Sequence, residues 1–102
     1  MVNTITSTEL IEKLSAGEAI TVIDVRTPEE VQEGKIIGAT NINIFEADFA
    51  DKIGEYDKSK TYAMVCRSGA RSGQACMHMD SMGFENINNV EGGMMSWVGE
   101  VE

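Results

Sequence analysis

Two short apolar runs restrict the fold of this 102-residue chain more than any other feature: Ile20-Thr21-Val22-Ile23 and Thr61-Tyr62-Ala63-Met64-Val65. A strand with one wet face alternates apolar and polar residues. Nearly continuous runs, rich in β-branched residues, suit strands covered on both faces, as in a parallel sheet flanked by helices. Helical signals stand between and around them. Thr6-Ser7-Thr8-Glu9 reads as a capping box, followed by Leu10, Ile11 and Leu14 at helical spacing and Gly17 as a stop. Thr27-Pro28-Glu29-Glu30 combines a Thr cap, Pro at the first helical position and Glu at the third, and Gly34 limits that helix to about two turns.

Further along, Thr40-Asn41-Ile42-Asn43-Ile44 alternates as a strand does. Phe45, Phe49 and Ile53 then mark the stripe of a third helix closed by Gly54. The spacing of Ala75, Met79 and Met82 predicts a helix over 71–82 with Gly83 at its end. A last strand at Asn86 to Val90 leads through Gly92-Gly93 into a helix around Met94 to Val98. Strands alternating with helices predict one α/β domain over residues 1–102, a parallel sheet covered on both faces. Ligands of such sheets collect beyond the carboxyl ends of the strands, where Asp24 to Arg26 and Cys66 to Arg71 are both expected.

Composition narrows the function. Eight Lys plus Arg against 17 Asp plus Glu give a net charge of -9, which repels nucleic acid and anionic membrane as partners. The first residues lack the basic start and apolar run of a signal peptide, and no stretch reaches the roughly 20 apolar residues of a span, so a soluble, cytoplasmic protein is expected, and separately a monomer. Two cysteines ten positions apart suggest free thiols in a reducing compartment. Cys76, beside Ala75 in the helical pattern, reads as core, with a role as a resolving thiol the lesser alternative. His78 lies off the apolar face and reads as a solvated residue. The methionines at 77, 79, 82, 94 and 95 read as core and rim, without the His or Cys partners a metal site would show. No metal or cofactor is expected.

The segment Cys66-Arg67-Ser68-Gly69-Ala70-Arg71-Ser72 carries the chemistry: strand end, tight turn, helix start. A helix N-terminus and nearby cations can bring a thiol pKa from about 8.5 down to roughly 3.5–7.5. Gly69 with the small Ser68 and Ala70 lets the turn curl so that backbone N–H groups point inward around an anion. Arg67 and Arg71 add planar forks of donors suited to oxyanions. Asp24 and Arg26, charged residues at a strand end, read as structural rather than as substrate contacts.

This loop resembles the active-site loop of single-domain rhodaneses. Ile23-Asp24-Val25-Arg26-Thr27-Pro28-Glu29-Glu30 is similar to that family's Asp-Val-Arg motif. Gly83-Phe84-Glu85-Asn86 and Val90-Glu91-Gly92-Gly93-Met94-Met95-Ser96-Trp97 resemble its C-terminal signature. The resemblance implies a five-stranded parallel sheet and a sulfurtransferase in which Cys66 takes a sulfane sulfur from a small anion such as thiosulfate. The persulfide then passes it to cyanide, a thiol or a protein acceptor. Arg67, Ser68, Gly69, Ala70, Arg71 and Ser72 would bind the substrate. One segment departs from the family: Lys35 and Ile37 stand where its usual His and Pro would be.

Two other functions fit parts of the pattern. Cysteine-based phosphatases and arsenate reductases share the strand, loop and Arg layout but place five residues between Cys and Arg, whereas Cys66 and Arg71 enclose four. A non-turnover module carrying sulfur to, or sensing redox state for, a protein partner would keep the same loop. Phe45 and Met94 are the rim residues from which selectivity could come.

Overall fold

Five strands pair in parallel throughout, in the order β1-β5-β4-β2-β3. The computed structural model describes residues 2–102. Its elements are β1 (Val2–Ile5), α1 (Ser7–Ser15), β2 (Ile20–Asp24), α2 (Pro28–Gln32), β3 (Thr40–Asn41), α3 (Phe49–Gly54), β4 (Thr61–Val65), α4 (Ala70–Ser81) and β5 (Asn86–Val90), followed by a 3-10 turn at Gly93–Ser96. Both expected capping boxes form, at Thr6 with Glu9 and at Thr27 with Glu30.

The apolar runs are buried on both faces because successive side chains of a strand point to opposite sides. On one face Ile23, Tyr62, Met64, Cys66 and Ile87 pack with Phe49 and Ile53 of α3 and with Ala75, Cys76 and Met79 of α4. On the other, Val22, Ala63, Val65 and Val90 pack with Leu10 of α1, Ile36 and Ala39. Cys76 is fully buried, as its place in the helical pattern requires.

Four details differ from the sequence expectations. Strand β1 carries no clear apolar pattern, since only Ile5 of its four residues is buried, and it joins the sheet through its pairing with β5. Strand β3 pairs over Thr40–Asn41 alone; Ile42 and Ile44 continue with N–H bonds to the carbonyls of Asp24 and Val25, past the end of β2. Phe45 does not begin α3. The Asn43 carboxamide oxygen accepts from its N–H at 3.0 Å, a local turn that competes with helix, and α3 begins only at Phe49. The final helix is one 3-10 turn ending before Trp97, whose backbone is extended, and two of its N–H groups serve the Cys66 loop instead. Among the described residues no helix is long and apolar enough to cross a membrane.

At the carboxyl end of β2 a buried ion pair closes the rim. Asp24 is fully buried and Arg26 nearly so. The Arg26 backbone N–H and Nε each donate to Asp24 Oδ1 at 3.0 Å, and Nη2 donates to Oδ2 at 2.7 Å. The same guanidinium donates to the carbonyls of Glu30 (3.2 Å) and Gly34 (2.7 Å), fixing α2 against the sheet. Asn41 adds bonds to the Asp24 and Arg26 carbonyls, both at 2.9 Å. Both charged groups therefore act structurally, as the sequence suggested.

Removing one partner strands a buried charge, which costs far more than a surface pair. Asp24→Ala is expected to lower the unfolding free energy by about 3–5 kcal/mol in urea titration at neutral pH. A loss below about 1 kcal/mol, the scale of an exposed pair, would show that Arg26 escapes to water.

Candidate active site

The Cys66 loop leaves β4 and enters α4 within a few residues. Gly69, at φ +108°, makes the turn that a residue with a Cβ resists, and α4 begins at Ala70. The curl folds back on the sulfur. The Gly69 N–H donates to Cys66 Sγ at 3.0 Å, and Ser72 Oγ lies 3.3 Å from the same atom. The backbone after β5 clamps the loop from outside: Met94 N–H donates to the Cys66 carbonyl at 2.9 Å and Met95 N–H to that of Arg67 at 3.0 Å. Such close approach requires Gly93, where a Cβ would collide with the Cys66 carbonyl oxygen and the Arg67 carbonyl group.

Two opposing effects act on the Cys66 thiol. Burial, the larger single influence, pushes its pKa up. Hydrogen bonds from the Ser72 hydroxyl, then from the backbone of Ser72, Gly69 and Ser68, together outweigh it and hold the thiol below its ordinary value of 9.0. Cys76 has no such donors, and burial first, with the neighbouring Cys66 second, raises it to about 12. The surroundings of the two thiols thus push them in opposite directions, toward the thiolate at Cys66 and away from it at Cys76.

The two loop arginines stand in different surroundings. Arg71 makes a two-pronged bond to Glu30, Nη1 to Oε1 at 2.7 Å and Nη2 to Oε2 at 2.8 Å. That bond, opposed by burial and helped by Thr27, holds the Glu30 carboxyl down at about 2. Arg71 is thus neutralised by its partner, and its guanidinium carbon sits 5.8 Å from the centre of the Phe45 ring. Arg67 is exposed and has no ion-pair partner among the described residues. Ser68 and Ala70 are exposed, Gly69 is half-buried, and Ser72 is fully buried beneath the sulfur. The donors on the sulfur are thus Ser72 and the backbone of Ser68 and Gly69, so hydrogen bonds rather than cations favour its anion.

Two residues at the site were not singled out from the sequence. Glu30 was read only as a helix cap, yet its Oε1 accepts from both Thr27 N–H (3.2 Å) and Arg71. Asn89 of β5 lies behind the loop: Ser72 Oγ is 2.6 Å from its Oδ1, and its Nδ2 donates to the Gly69 carbonyl at 3.1 Å. A signal existed, because Asn is disfavoured inside strands and β5 holds two in succession, Asn88 and Asn89.

Other expectations are corrected. His78 is not solvated: it is half-buried, its ring tilts against Phe49 at 6.5 Å, and its Nε2 is shut away from water. Lys35 makes no bond to the Cys66 loop. Its Nζ pairs with Glu102 at 2.6 Å and donates to the Ala39 carbonyl at 3.0 Å, so it fastens the 35–39 turn to the C-terminal segment. Ile37 is half exposed. Met94, partly buried against the core, lines the depression beside Arg67 together with Met95, which is 71% exposed. Among the described residues no three His, Cys, Asp or Glu side chains cluster so as to hold a metal ion.

Comparison with known proteins agrees with this arrangement. The chain is 45% identical over 98 residues to "Putative sulfurtransferase YtwF" of Bacillus subtilis, covering 96% of this chain and 92% of that one. It is 34% identical over 97 residues to a protein named sulfurtransferase in Allochromatium vinosum, covering 95% and 89%. The crystal structure of a rhodanese-like domain protein from Staphylococcus aureus superposes with a TM-score of 0.86 at 34% identity, covering 98% of this chain and 96% of that one. The model of the rhodanese-like domain matches residues 6–100, and the chain belongs to that family.

Proposed function

We propose that the protein is a sulfurtransferase in which Cys66 carries a sulfane sulfur as a persulfide, loaded from a small anion such as thiosulfate and discharged to cyanide, a thiol or a protein acceptor. The observation that carries this reading is the ring of donors on one buried sulfur, with Gly69 N–H at 3.0 Å and Ser72 Oγ at 3.3 Å. The names of its relatives support it. In the first step the Cys66 thiolate attacks the outer sulfur of thiosulfate. A new S–S bond forms, the old one breaks, and sulfite leaves with the electron pair. The persulfide anion stays among the loop N–H groups, which stabilise it without reorganising. In the second step the acceptor attacks the outer sulfur and Cys66 departs as thiolate. Arg67, exposed and without an ion-pair partner among the described residues, is the residue for the departing oxyanion.

Phosphatase chemistry fits less well. The arginine that would clamp a phosphate in that class is Arg71, and both of its terminal nitrogens are held by Glu30.

Ser72 has one hydroxyl proton and two acceptors in reach, Asn89 Oδ1 and Cys66 Sγ. With a thiol at Cys66 the proton serves Asn89; with a thiolate or persulfide it turns to sulfur. The hydroxyl thus supplies a charge-assisted bond only when the anion forms.

Intact-protein mass spectrometry after thiosulfate treatment should show one added sulfur atom, removed by a thiol reductant, absent in Cys66→Ser and retained in Cys76→Ala. A folded, fully reduced protein that gains no sulfur contradicts the thiosulfate step. Alkylation by iodoacetamide follows the thiolate fraction, so its rate rises with pH and levels off above the Cys66 pKa. Ser72→Ala removes a bond that favours the anion and should move this limb to higher pH. An unmoved limb would assign the activation to the backbone donors alone.

A further inference from the structure

Behind the Cys66 loop one neutral side chain of β5 makes two bonds that together fix its orientation. Asn89 Nδ2 donates to the Gly69 carbonyl at 3.1 Å, and its Oδ1 accepts from Ser72 Oγ at 2.6 Å. Turning the carboxamide over would set its oxygen against the Gly69 carbonyl oxygen and lose that bond, so the oxygen must face Ser72. A carboxamide oxygen only accepts, which leaves the Ser72 hydroxyl as the donor.

That hydroxyl has a single proton, and Cys66 Sγ lies 3.3 Å from its oxygen. Beside a neutral thiol, a poor acceptor, the proton stays with Asn89, and the Ser72 oxygen is free to accept from the S–H. Beside a thiolate the O–H rotates to the sulfur, where the bond is charge-assisted. Ionisation of Cys66 therefore gains one bond from Ser72 and gives up one at Asn89. Without Asn89 the hydroxyl would have nothing to give up, and the thiolate would form more readily.

We infer that Asn89 is a positioning residue for the nucleophile: its carboxamide, held one way round by Gly69, keeps the Ser72 proton off a Cys66 thiol and yields it to the sulfur once that sulfur is an anion. The proton never leaves Ser72; only the O–H turns. The titratable groups around the sulfur come from other elements: Asp24 with Arg26 and Glu30 with Arg71 as ion pairs, Arg67 of the loop with Glu33 beside it, and Cys76 of α4. Strands β1 and β5 hold no titratable residue among those described. A neutral replacement of Asn89 leaves all of these charges in place. A thiolate whose pKa is less depressed is the stronger nucleophile and the poorer leaving group. Asn89 thus favours loading of Cys66 over its discharge, a consequence that rests on the sulfurtransferase reading.

The test is Asn89→Leu, close in volume but unable to donate or accept, in the full chain with and without Ser72→Ala. The iodoacetamide limb of Cys66 should move down by about half to one pH unit, the scale of one net hydrogen bond. In the Ser72→Ala background the same substitution should leave the limb in place, because the coupling runs through that hydroxyl. Thiosulfate loading per thiolate should fall, and discharge to cyanide should rise, each by about two- to threefold. If the leucine variant does not fold, Asn89→Asp keeps an acceptor for Ser72 and adds a charge, so it should move the limb up, and by less once Ser72 is alanine. An upward or absent shift in Asn89→Leu, a shift of either variant that is equal in both backgrounds, or slowing of both half-reactions together would overturn the inference, since a loosened loop predicts these. A wild-type protein that takes no sulfur from thiosulfate would instead contradict the loading step, while the alkylation shifts still decide the role of Asn89.

Discussion

Strand β4 is paired in parallel on both edges, with β2 and β5, and packed on both faces, so it is buried from Tyr62 through Val65. Cys66 is the next residue. A chain leaving such a strand must turn at once to reach α4, and the turn's N–H groups have no sheet partner left. They close on the sulfur instead. Burial there raises the cost of the thiolate, and the freed donors repay it. The neighbouring rim depends on the same geometry, since β2 ends in register with β4 and sets Asp24 and Arg26 beside the loop.

Charge at this rim is organised in pairs. Asp24 holds Arg26, Glu30 holds Arg71, and only Arg67 faces water without a carboxylate partner among the described residues. Glu30 joins three parts of the molecule, because one carboxylate closes the cap of α2, restrains the first turn of α4 and, through Arg71, sets the place of Phe45. The departure at Lys35 has little bearing on the sulfur. Its ammonium is committed to Glu102 and the Ala39 carbonyl, so the replaced residue secures the chain's last segment.

Much of the fold was legible where a physical signal is local. Continuous apolar runs marked β2 and β4, and capping boxes marked α1 and α2 to within a residue. Legibility failed where the signal is supplied from elsewhere. Strand β1 exists because β5 offers an edge, and its own residues show one buried side chain. Phe45 shares the helical spacing of Phe49 and Ile53, but spacing cannot register that Asn43 captures its N–H. His78 lies off the apolar stripe of α4, and only the packing of α3 against that helix covers it.

By itself the sequence determined the α/β architecture, the cysteine that ends the central strand, and the small, glycine-bearing loop that must curl after it. These follow from periodicity, capping and backbone freedom, which act over a few neighbouring residues. Tertiary structure alone decided how that cysteine is activated and what surrounds it. Ser72 and Asn89 meet across 17 positions, and Glu30 and Arg71 across 41. A hydrogen bond between distant residues has no periodicity to betray it, and whether an arginine is free or neutralised depends on which carboxylate the folded chain brings within reach.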